Sequence, residues 1–216
     1  MTPELWPRVK KAGTSLVIRL LKPFYSIGLI RRIYWEIYAP EIDRAWGNEQ
    51  DDFNTISGVL DRFRPSKVLD VGCGSGRLFG VYTDHKIPSI LGVDISEKAL
   101  SIANRKYPGI PTLRLSVEEI AFGKGSFDLV ICNRTLQHIP PEKIPDVIRR
   151  LCSCTKRVYL NETTPVDGGK CDQGLFSHDY AAYFGEQQFH TECAGEIPKK
   201  TGERQFYTVF SKNTSE

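Results

Sequence analysis

The sequence has few of the features that mark a membrane, secreted or metal-binding protein. One of its 216 residues is Met and four are His, and no apolar run approaches the roughly 18 residues that span a bilayer. Arg19 interrupts the apolar stretch 16–21 and no small-residue cleavage site follows, so we predict no secretory signal. Cys152 and Cys154 form a close pair, but no second pair or His cluster accompanies them. We therefore predict reduced thiols, no metal site and a cytoplasmic protein.

The chain also lacks a strong net charge. The formal value at pH 7 is +3, and no Arg/Lys-aromatic surface pattern is present, so we expect no nucleic-acid partner. The charge is uneven, because residues 1–40 contain seven Lys and Arg against two Glu, a segment charge of +5. Any attraction to an anionic surface is therefore expected from the N-terminus.

Residues 8–46 have apolar side chains at helical spacing, with a break between Pro23 and Gly28, and predict amphipathic helix. Two roles stay open for residues 1–46. The segment either covers the active site as a lid or lies on a membrane surface as a peripheral contact. Residues 47–216 are predicted to form the main domain.

From residue 52 onward, predicted strands and helices alternate. The strands are predicted at residues 67–71, 89–94, 112–115, 127–133 and 157–161, and two more at 188–197 and 204–211 form a hairpin. This order predicts an α/β, Rossmann-like fold with a seven-stranded, mostly parallel sheet. Helices lie on both faces, and the C-terminal hairpin is antiparallel.

A Gly-rich string, Asp-Val-Gly-Cys-Gly-Ser-Gly, occupies residues 70–76 directly after the first predicted strand. Alternate glycines allow a turn that approaches a ligand closely, and the helix after it directs free N–H groups to the same place. A dinucleotide fingerprint would need its third glycine one residue later, where Arg77 stands, so a nicotinamide-dependent oxidoreductase is disfavoured. Asp70, at the mouth of the turn, favours a ligand with a positive amine.

The string resembles motif I of the class I S-adenosylmethionine-dependent methyltransferases. Gly92-Val93-Asp94 matches the family's second strand end, and residues 125–130, with Phe127 and Asp128, match the entry to its fourth strand. The resemblance covers about residues 52–162. It implies S-adenosylmethionine as cofactor and methyl transfer to an oxygen or nitrogen nucleophile. A non-catalytic partner subunit with the same fold is the alternative.

The resemblance also implies where the cofactor lies. The implied contacts are Gly72, Gly74 and Gly76 in the turn, Asp70 at the methionyl end, Asp94 and Ile95 at the ribose, Ser116 and Val117 at the adenine, and Asn133 at the methionine or the acceptor. Ser116 replaces the family's Asp, so the hydrogen bond to the adenine amino group would be neutral and weaker.

Two histidines are candidates for a general base. His138 follows the fourth strand beside the cleft, and an unperturbed imidazole titrates near neutral pH. His178 is the second, with Asp179 or Glu162 to orient it; for both, an ordinary structural role remains open. Only residues 1–46 and 163–187 are available to cover the pocket. We therefore expect a small acceptor, or the exposed end of one linked to a lipid or glycan.

Overall fold

The computed structural model describes residues 20–21, 24, 27–46, 49–163, 175–197 and 205–213. Two predicted features, the helical residues 8–19 and the hairpin turn at 198–202, lie outside the described residues. No helix within the described ranges is long and apolar enough to cross a membrane.

Helices and strands alternate along the described chain. The helices are α1 (Gly28–Trp46), α2 (Gln50–Phe63), α3 (Phe79–Asp84), α4 (Glu97–Lys106), α5 (Ile144–Cys154) and α6 (Tyr180–Glu186). The strands are β1 (Lys67–Val71), β2 (Ser89–Asp94), β3 (Thr112–Arg114), β4 (Leu129–Asn133), β5 (Arg157–Thr163), β6 (Phe189–Ile197) and β7 (Gln205–Lys212). Single 3-10 turns occupy Val117–Glu119, Leu136–His138 and Pro141–Lys143.

One seven-stranded sheet organises the fold, in the order β3-β2-β1-β4-β5-β7-β6. The first five strands are parallel, and β7 runs antiparallel to both β5 and β6. The predicted α/β fold and antiparallel hairpin are thus confirmed. Because the carboxyl ends of β1 to β5 share one edge of the sheet, the turns that leave them meet there, where open α/β sheets bind ligands.

Alternate strand residues feed two hydrophobic cores, one on each face of the sheet. Leu69 and Val130 point to the face that α5 and α6 cover. Val68 and Ile131 point to the opposite face, which is covered by α2, α3 and α4. The strands are apolar on both faces for this reason, which is typical of a buried parallel sheet.

The predicted helices and strands in this part of the chain are present, and some begin a few residues away from the predicted position. Ser96 caps α4 as expected, since its hydroxyl accepts from the N–H of Ala99 at 3.1 Å. The fourth strand begins at Leu129 rather than residue 127, because Phe127 forms only a single bridge, to Thr155. The predicted helix from residue 140 is divided, and α5 begins at Ile144 with Pro145 in its first turn.

Candidate active site

The Gly-rich turn closes tightly on its neighbours. Gly72, Gly74 and Gly76 have φ values of +73°, +55° and +75°, the left-handed region that favours glycine. A Cβ at Gly72 would overlap the Thr135 side chain, and one at Gly76 would lie 2.8 Å from the Phe79 ring. These two glycines are therefore required by packing within the protein, in addition to any approach to a ligand.

Asp94 joins this turn to the end of β2. Its Oδ2 accepts from the N–H of Gly74 at 2.9 Å, and its Oδ1 accepts from the N–H of Ser96 at 2.8 Å. Burial raises the pKa of Asp94, against the lowering effect of these N–H groups. The N–H of Ile95 also interacts with this carboxylate, and the acceptor capacity that remains can take a hydrogen bond from a ribose hydroxyl. Ile95 follows, and its carbonyl accepts from Arg114 Nε at 3.3 Å.

Asp70 does not lie at the mouth of the turn, contrary to the sequence prediction. Its side chain is 1% exposed within β1. Burial raises the pKa of Asp70 to about 7, and the Tyr82 hydroxyl and the Arg77 guanidinium oppose that shift. The carboxyl group is thus only partly ionised at neutral pH, which weakens the argument that its charge selects an amine.

The turn after β3, predicted to face the adenine, is a capped 3-10 turn. Ser116 Oγ accepts from the N–H of Glu118 at 3.3 Å, and the N–H of Ser116 donates to Glu119 Oε2 at 3.1 Å. This is a capping box. The Val117 side chain is buried in the core. The Ser116 hydroxyl therefore already has a structural partner, and its role toward a ligand stays a prediction.

Helix α1 crosses this edge of the sheet and contacts three of its turns. Glu36 Oε2 accepts from Ser96 Oγ at 2.8 Å, next to Asp94. Arg31 forms an ion pair with Glu118 in the turn after β3. The Trp35 ring meets the His138 ring edge-on, with centroids 4.9 Å apart. One helix thus spans the region where the predicted cofactor contacts lie.

Asn133 ends β4 at the centre of this edge. Both its amide atoms, Oδ1 and Nδ2, are buried and make no hydrogen bond within the described part of the chain. Buried polar atoms are satisfied in nearly all native proteins, by protein, ligand or water. The amide is therefore available to a polar group of the cofactor or acceptor, and that role stays a prediction.

A buried ionic cluster beside Asn133 was not predicted. Arg77 donates to Asp52 Oδ2 at 3.3 Å, and Arg134 donates to Glu49 Oε1 at 3.0 Å and to Gln205 Oε1 at 2.8 Å. Arg134 has a left-handed backbone, with φ of +58°. The cluster joins the Gly-rich turn and the turn after β4 to α2 and β7. Its members are far apart in sequence, so no local pattern indicates it.

The pKa of His138 differs from the one that the sequence prediction assumed. Burial and the charge of Arg31 lower its pKa to about 3, so the premise of an unperturbed imidazole is wrong. The ring is neutral at pH 7, but its low proton affinity makes it a poor acceptor of a proton. Its packing against Trp35 fits a role in the wall of the site.

His178 faces a cavity at the carboxyl end of β5. Burial lowers its pKa, while hydrogen bonds to the carbonyls of Leu136 and Ile139 raise it. Its Nε2 is buried without a hydrogen-bond partner within the described ranges. Asp179 does not orient this ring, because its carboxylate accepts from the N–H of Ala182 at 3.1 Å and caps α6.

Glu162 lines the same cavity and holds the turn after β4. Its two oxygens accept from the N–H groups of Leu136 at 2.9 Å and Gln137 at 3.3 Å. Burial raises the pKa of Glu162 to about 8. The predicted orienting role is thus indirect: Glu162 fixes the turn whose carbonyls hold His178.

The cavity has a volume of about 110 Å³ and a mostly aromatic and apolar lining. It is lined by Leu160, Glu162, Phe176, Ser177, His178, Tyr180, Phe206, Thr208 and Phe210. A dry apolar cavity of about 150 Å³ holds a benzene ring. The space beside Glu162 and His178 is smaller than that, so it accommodates only a small part of an acceptor.

Known proteins resemble this chain in sequence. The sequence profile of the family described as "Methyltransferase domain" matches residues 68–157. A ubiquinone biosynthesis O-methyltransferase of Paracidovorax citrulli is 30% identical over 181 residues, which cover 71% of this chain and 76% of that protein. A protein of the same description from Dechloromonas aromatica is 34% identical over 137 residues, 56% of this chain and 59% of its own length.

Solved structures share the fold at lower sequence identity. The 1,6-didemethyltoxoflavin-N1-methyltransferase of Burkholderia thailandensis, with S-adenosylhomocysteine bound, has a TM-score of 0.70 at 18% identity, covering 85% of this chain and 87% of that one. The magnesium protoporphyrin IX methyltransferase of Synechocystis, also with S-adenosylhomocysteine, has a TM-score of 0.63 at 21% identity, covering 77% and 84%.

Proposed function

Because the chain belongs to the S-adenosylmethionine-dependent methyltransferases, we propose that it methylates an oxygen or nitrogen of a small acceptor held in the cavity beside Glu162 and His178. The protein is an enzyme of class I with S-adenosylmethionine as cofactor. When bound, that cofactor supplies a methyl group on a positively charged sulfur.

The cavity at the end of β5 is the observation that carries the acceptor proposal. Its aromatic walls and its volume of about 110 Å³ favour a compact, largely apolar molecule. The ubiquinone biosynthesis O-methyltransferases and the didemethyltoxoflavin N1-methyltransferase are named for small-molecule acceptors, which supports an acceptor of that class here. Because these relatives are named for O- and N-methylation respectively, both nucleophiles stay within the proposal.

The cofactor half of the site would be held by the turn and its neighbours. Gly72, Gly74 and Gly76 would face the methionyl part, Asp94 and Ile95 the ribose, and Ser116 and Val117 the adenine. The remaining acceptor capacity of Asp94 and the unsatisfied amide of Asn133 support this arrangement.

Methyl transfer is an in-line displacement, so the protein chiefly has to align the acceptor with the methyl group. A hydroxyl acceptor must also lose its proton. We assign that step to Nε2 of His178, because His178 lines the cavity and its Nε2 has no hydrogen-bond partner within the described ranges; the step requires the tautomer with the proton on Nδ1. Tyr180 and Phe176 would exclude water from the acceptor.

A matched pair of His variants tests this assignment. His178→Gln should lower kcat for a hydroxyl acceptor by about 10²- to 10⁴-fold, with the affinity for S-adenosylhomocysteine unchanged. His190→Gln is the control, because His190 lies on β6 and its Nδ1 is 2.8 Å from Asn213 Oδ1. The assay is labelled-methyl transfer to a panel of catechols, simple phenols and aromatic amines. Full activity of His178→Gln on a hydroxyl acceptor would remove His178 from the chemistry.

We propose further that α1, within the N-terminal segment 1–46, is the lid of the domain formed by residues 47–216. Its contacts with Ser96, Glu118 and His138 support this role. A peripheral membrane contact is the second candidate for this segment, for two reasons. The segment is basic, and apolar side chains on α1 and just before it are exposed: Leu20, Phe24, Ile27, Leu29 and Ile33.

Substitutions on the two faces of α1 distinguish a lid from a membrane contact. Replacing Trp35 by Ala should reduce turnover of a soluble acceptor without changing affinity for phosphatidylglycerol vesicles. Replacing both Leu29 and Ile33 by Ser should leave turnover unchanged, and should weaken vesicle binding if the outer face contacts a membrane. If Trp35→Ala keeps full turnover, α1 is not a lid.

A further inference from the structure

The acceptor cavity accounts for only part of an acceptor. Its volume of about 110 Å³ is smaller than the roughly 150 Å³ that holds a benzene ring. The rest of the acceptor therefore contacts other residues at the carboxyl ends of the strands. Buried polar atoms without a partner indicate where such contacts are made, because native proteins satisfy nearly all of them.

Two carboxamides lie side by side at the ends of β4 and β5. Asn133 and Asn161 are register partners on these neighbouring parallel strands, so their side chains share one face of the sheet. Asn161 is 0% exposed. Its Nδ2, like both amide atoms of Asn133, is buried and makes no hydrogen bond to any residue that the structure describes. Such atoms are costly to bury unless a ligand or water satisfies them.

A chain of hydrogen bonds from the ionic cluster determines which atom of Asn161 is open. Arg134 Nη1 donates to Glu49 Oε1 at 3.0 Å, and Arg134 Nη2 donates to Gln205 Oε1 at 2.8 Å. Because a guanidinium can only donate, Gln205 presents its oxygen to Arg134 and its nitrogen to Asn161. Gln205 Nε2 accordingly donates to Asn161 Oδ1. The two N–H groups on Nδ2 of Asn161 are therefore left for another partner.

The charges next to these N–H groups are already balanced. Arg77 pairs with Asp52 at 3.3 Å, and Arg134 pairs with Glu49. Among these four side chains two cations balance two carboxylates, so the cluster has no excess charge to attract an anion. The group that complements the open N–H groups is therefore an uncharged oxygen, such as a carbonyl or a hydroxyl.

Asn161 lies on the acceptor side of the active edge. Strand β5 is two strands, about 10 Å, from β1 and its Gly-rich turn. The neighbours of Asn161 along β5, Leu160 and Glu162, line the acceptor cavity on the opposite face of the sheet. An acceptor with its nucleophile in the cavity and a second polar group at Asn161 thus lies across the end of β5.

We propose that Asn161 is a specificity-determining residue whose Nδ2 donates a hydrogen bond to an uncharged oxygen of the methyl acceptor. Arg134 and Gln205 are positioning residues, because they fix the direction of the Asn161 amide. The inference deepens the proposed function and rests on it in placing an acceptor at this edge. It adds that the acceptor carries an uncharged oxygen besides the atom that is methylated.

Substituted phenols test the polarity of this subsite. The probes are cresol, hydroxyacetophenone and aminophenol, each as the ortho, meta and para isomer, titrated by calorimetry into protein saturated with S-adenosylhomocysteine. The methyl group of cresol makes no hydrogen bond, the acetyl oxygen accepts, and the amino group mainly donates. For at least one isomer, wild-type protein should bind hydroxyacetophenone about 2- to 12-fold more tightly than cresol, the effect of one hydrogen bond.

Two variants should reverse this preference in favour of aminophenol. Asn161→Asp replaces the open N–H groups by an oxygen. Gln205→Glu leaves Asn161 in place, but the new carboxylate accepts from both Arg134 and Asn161 Nδ2, so the amide turns its oxygen to the acceptor. Neither variant should change the affinity for S-adenosylhomocysteine. Asn104→Asp is the control and should keep the wild-type preference, because Asn104 lies on α4, where its Oδ1 accepts from Thr112 at 2.8 Å.

The inference is overturned if wild-type protein binds all isomers of cresol and hydroxyacetophenone equally, as expected if water alone fills the subsite, or if it binds no probe. It is also overturned if either folded variant keeps the wild-type preference, or weakens S-adenosylhomocysteine binding and leaves the preference unchanged. Gln205→Glu is sufficient if Asn161→Asp does not fold. Failure of the proposed function is read separately, because full activity of His178→Gln would contradict that proposal alone.

Discussion

The two halves of the active edge are built differently. At the ends of β1 and β2, the contacts within the Gly-rich motif join residues close in sequence, such as Gly74 and Asp94, which are 20 positions apart. At the ends of β4 and β5, the contacts join distant segments, such as Arg134 and Glu49, 85 positions apart. The motif of the cofactor half is thus local, although α1 reaches Ser96 there from 60 positions away, whereas the acceptor half depends on the whole fold.

The largest effect is expected where the local motif packs most tightly. Gly72→Ala should lower the free energy of unfolding by about 2–5 kcal/mol, from left-handed strain plus overlap with Thr135. Gly125→Ala is the control, because Gly125 also has a positive φ but has nothing within 4 Å of an added Cβ. It should cost only about 1–2 kcal/mol. Equal losses in urea unfolding would mean that the overlap is relieved without cost.

Asp94 tests the ligand-binding side of the same half. Asp94→Ala should weaken S-adenosylhomocysteine binding by about 10- to 150-fold, through lost hydrogen bonds to a charged group. Asp128→Ala is the matched control, since Asp128 Oδ2 also accepts two backbone N–H groups, from Ser66 at 2.8 Å and Lys67 at 2.9 Å, at the opposite edge of the sheet. Calorimetry that finds the same affinity in both variants would exclude Asp94 from the cofactor site.

In the acceptor half, Glu162 should make stability depend on pH. Burial raises the pKa of Glu162 to about 8 from 4.5, so the folded state binds its proton more tightly than the unfolded state does. This contribution is fully present below pH 4.5 and is lost as pH rises toward 8. Glu162→Gln should therefore gain stability relative to wild type between pH 5 and about pH 8.

Thermal unfolding of both proteins across this pH range provides the measurement. Asp70, whose pKa burial also raises, is present in both proteins and cancels in the difference. A difference in Tm that does not change with pH would show that Glu162 does not titrate in this window.

The smallest effect is expected at Ser116. Ser116→Asp should bind S-adenosylhomocysteine a few-fold more tightly, because a carboxylate accepts more strongly from the adenine amino group. The turn itself should be kept, since Asp caps turns as well as Ser does. A clear loss of affinity in calorimetry, from a folded variant, would show that this turn does not face the adenine.

The sequence was sufficient to predict the sheet, the Gly-rich turn and the position of Asp94 at the end of β2, because each depends on residue type at short spacing. The raised pKa of Asp70 could not be predicted, since it depends on burial in the folded sheet and on the opposing effects of Tyr82 and Arg77 from another part of the chain. The pKa of His138 was misjudged for the same reason: burial in the fold lowers it most, and the charge of Arg31, which lies 107 positions earlier in the chain, lowers it further. Features that depend on residues close in sequence could thus be predicted, whereas features that depend on residues distant in sequence could not.

The strand order also has a consequence for biosynthesis. All five parallel strands, with the Gly-rich turn and Asp94, leave the ribosome before β6, so the cofactor half can form on an incomplete chain. In contrast, among the described strands β6 pairs with β7, which lies between it and β5. Gln205, at the start of β7, also donates to Asn161 and accepts from Arg134. The acceptor half is therefore completed only after β7 has been translated.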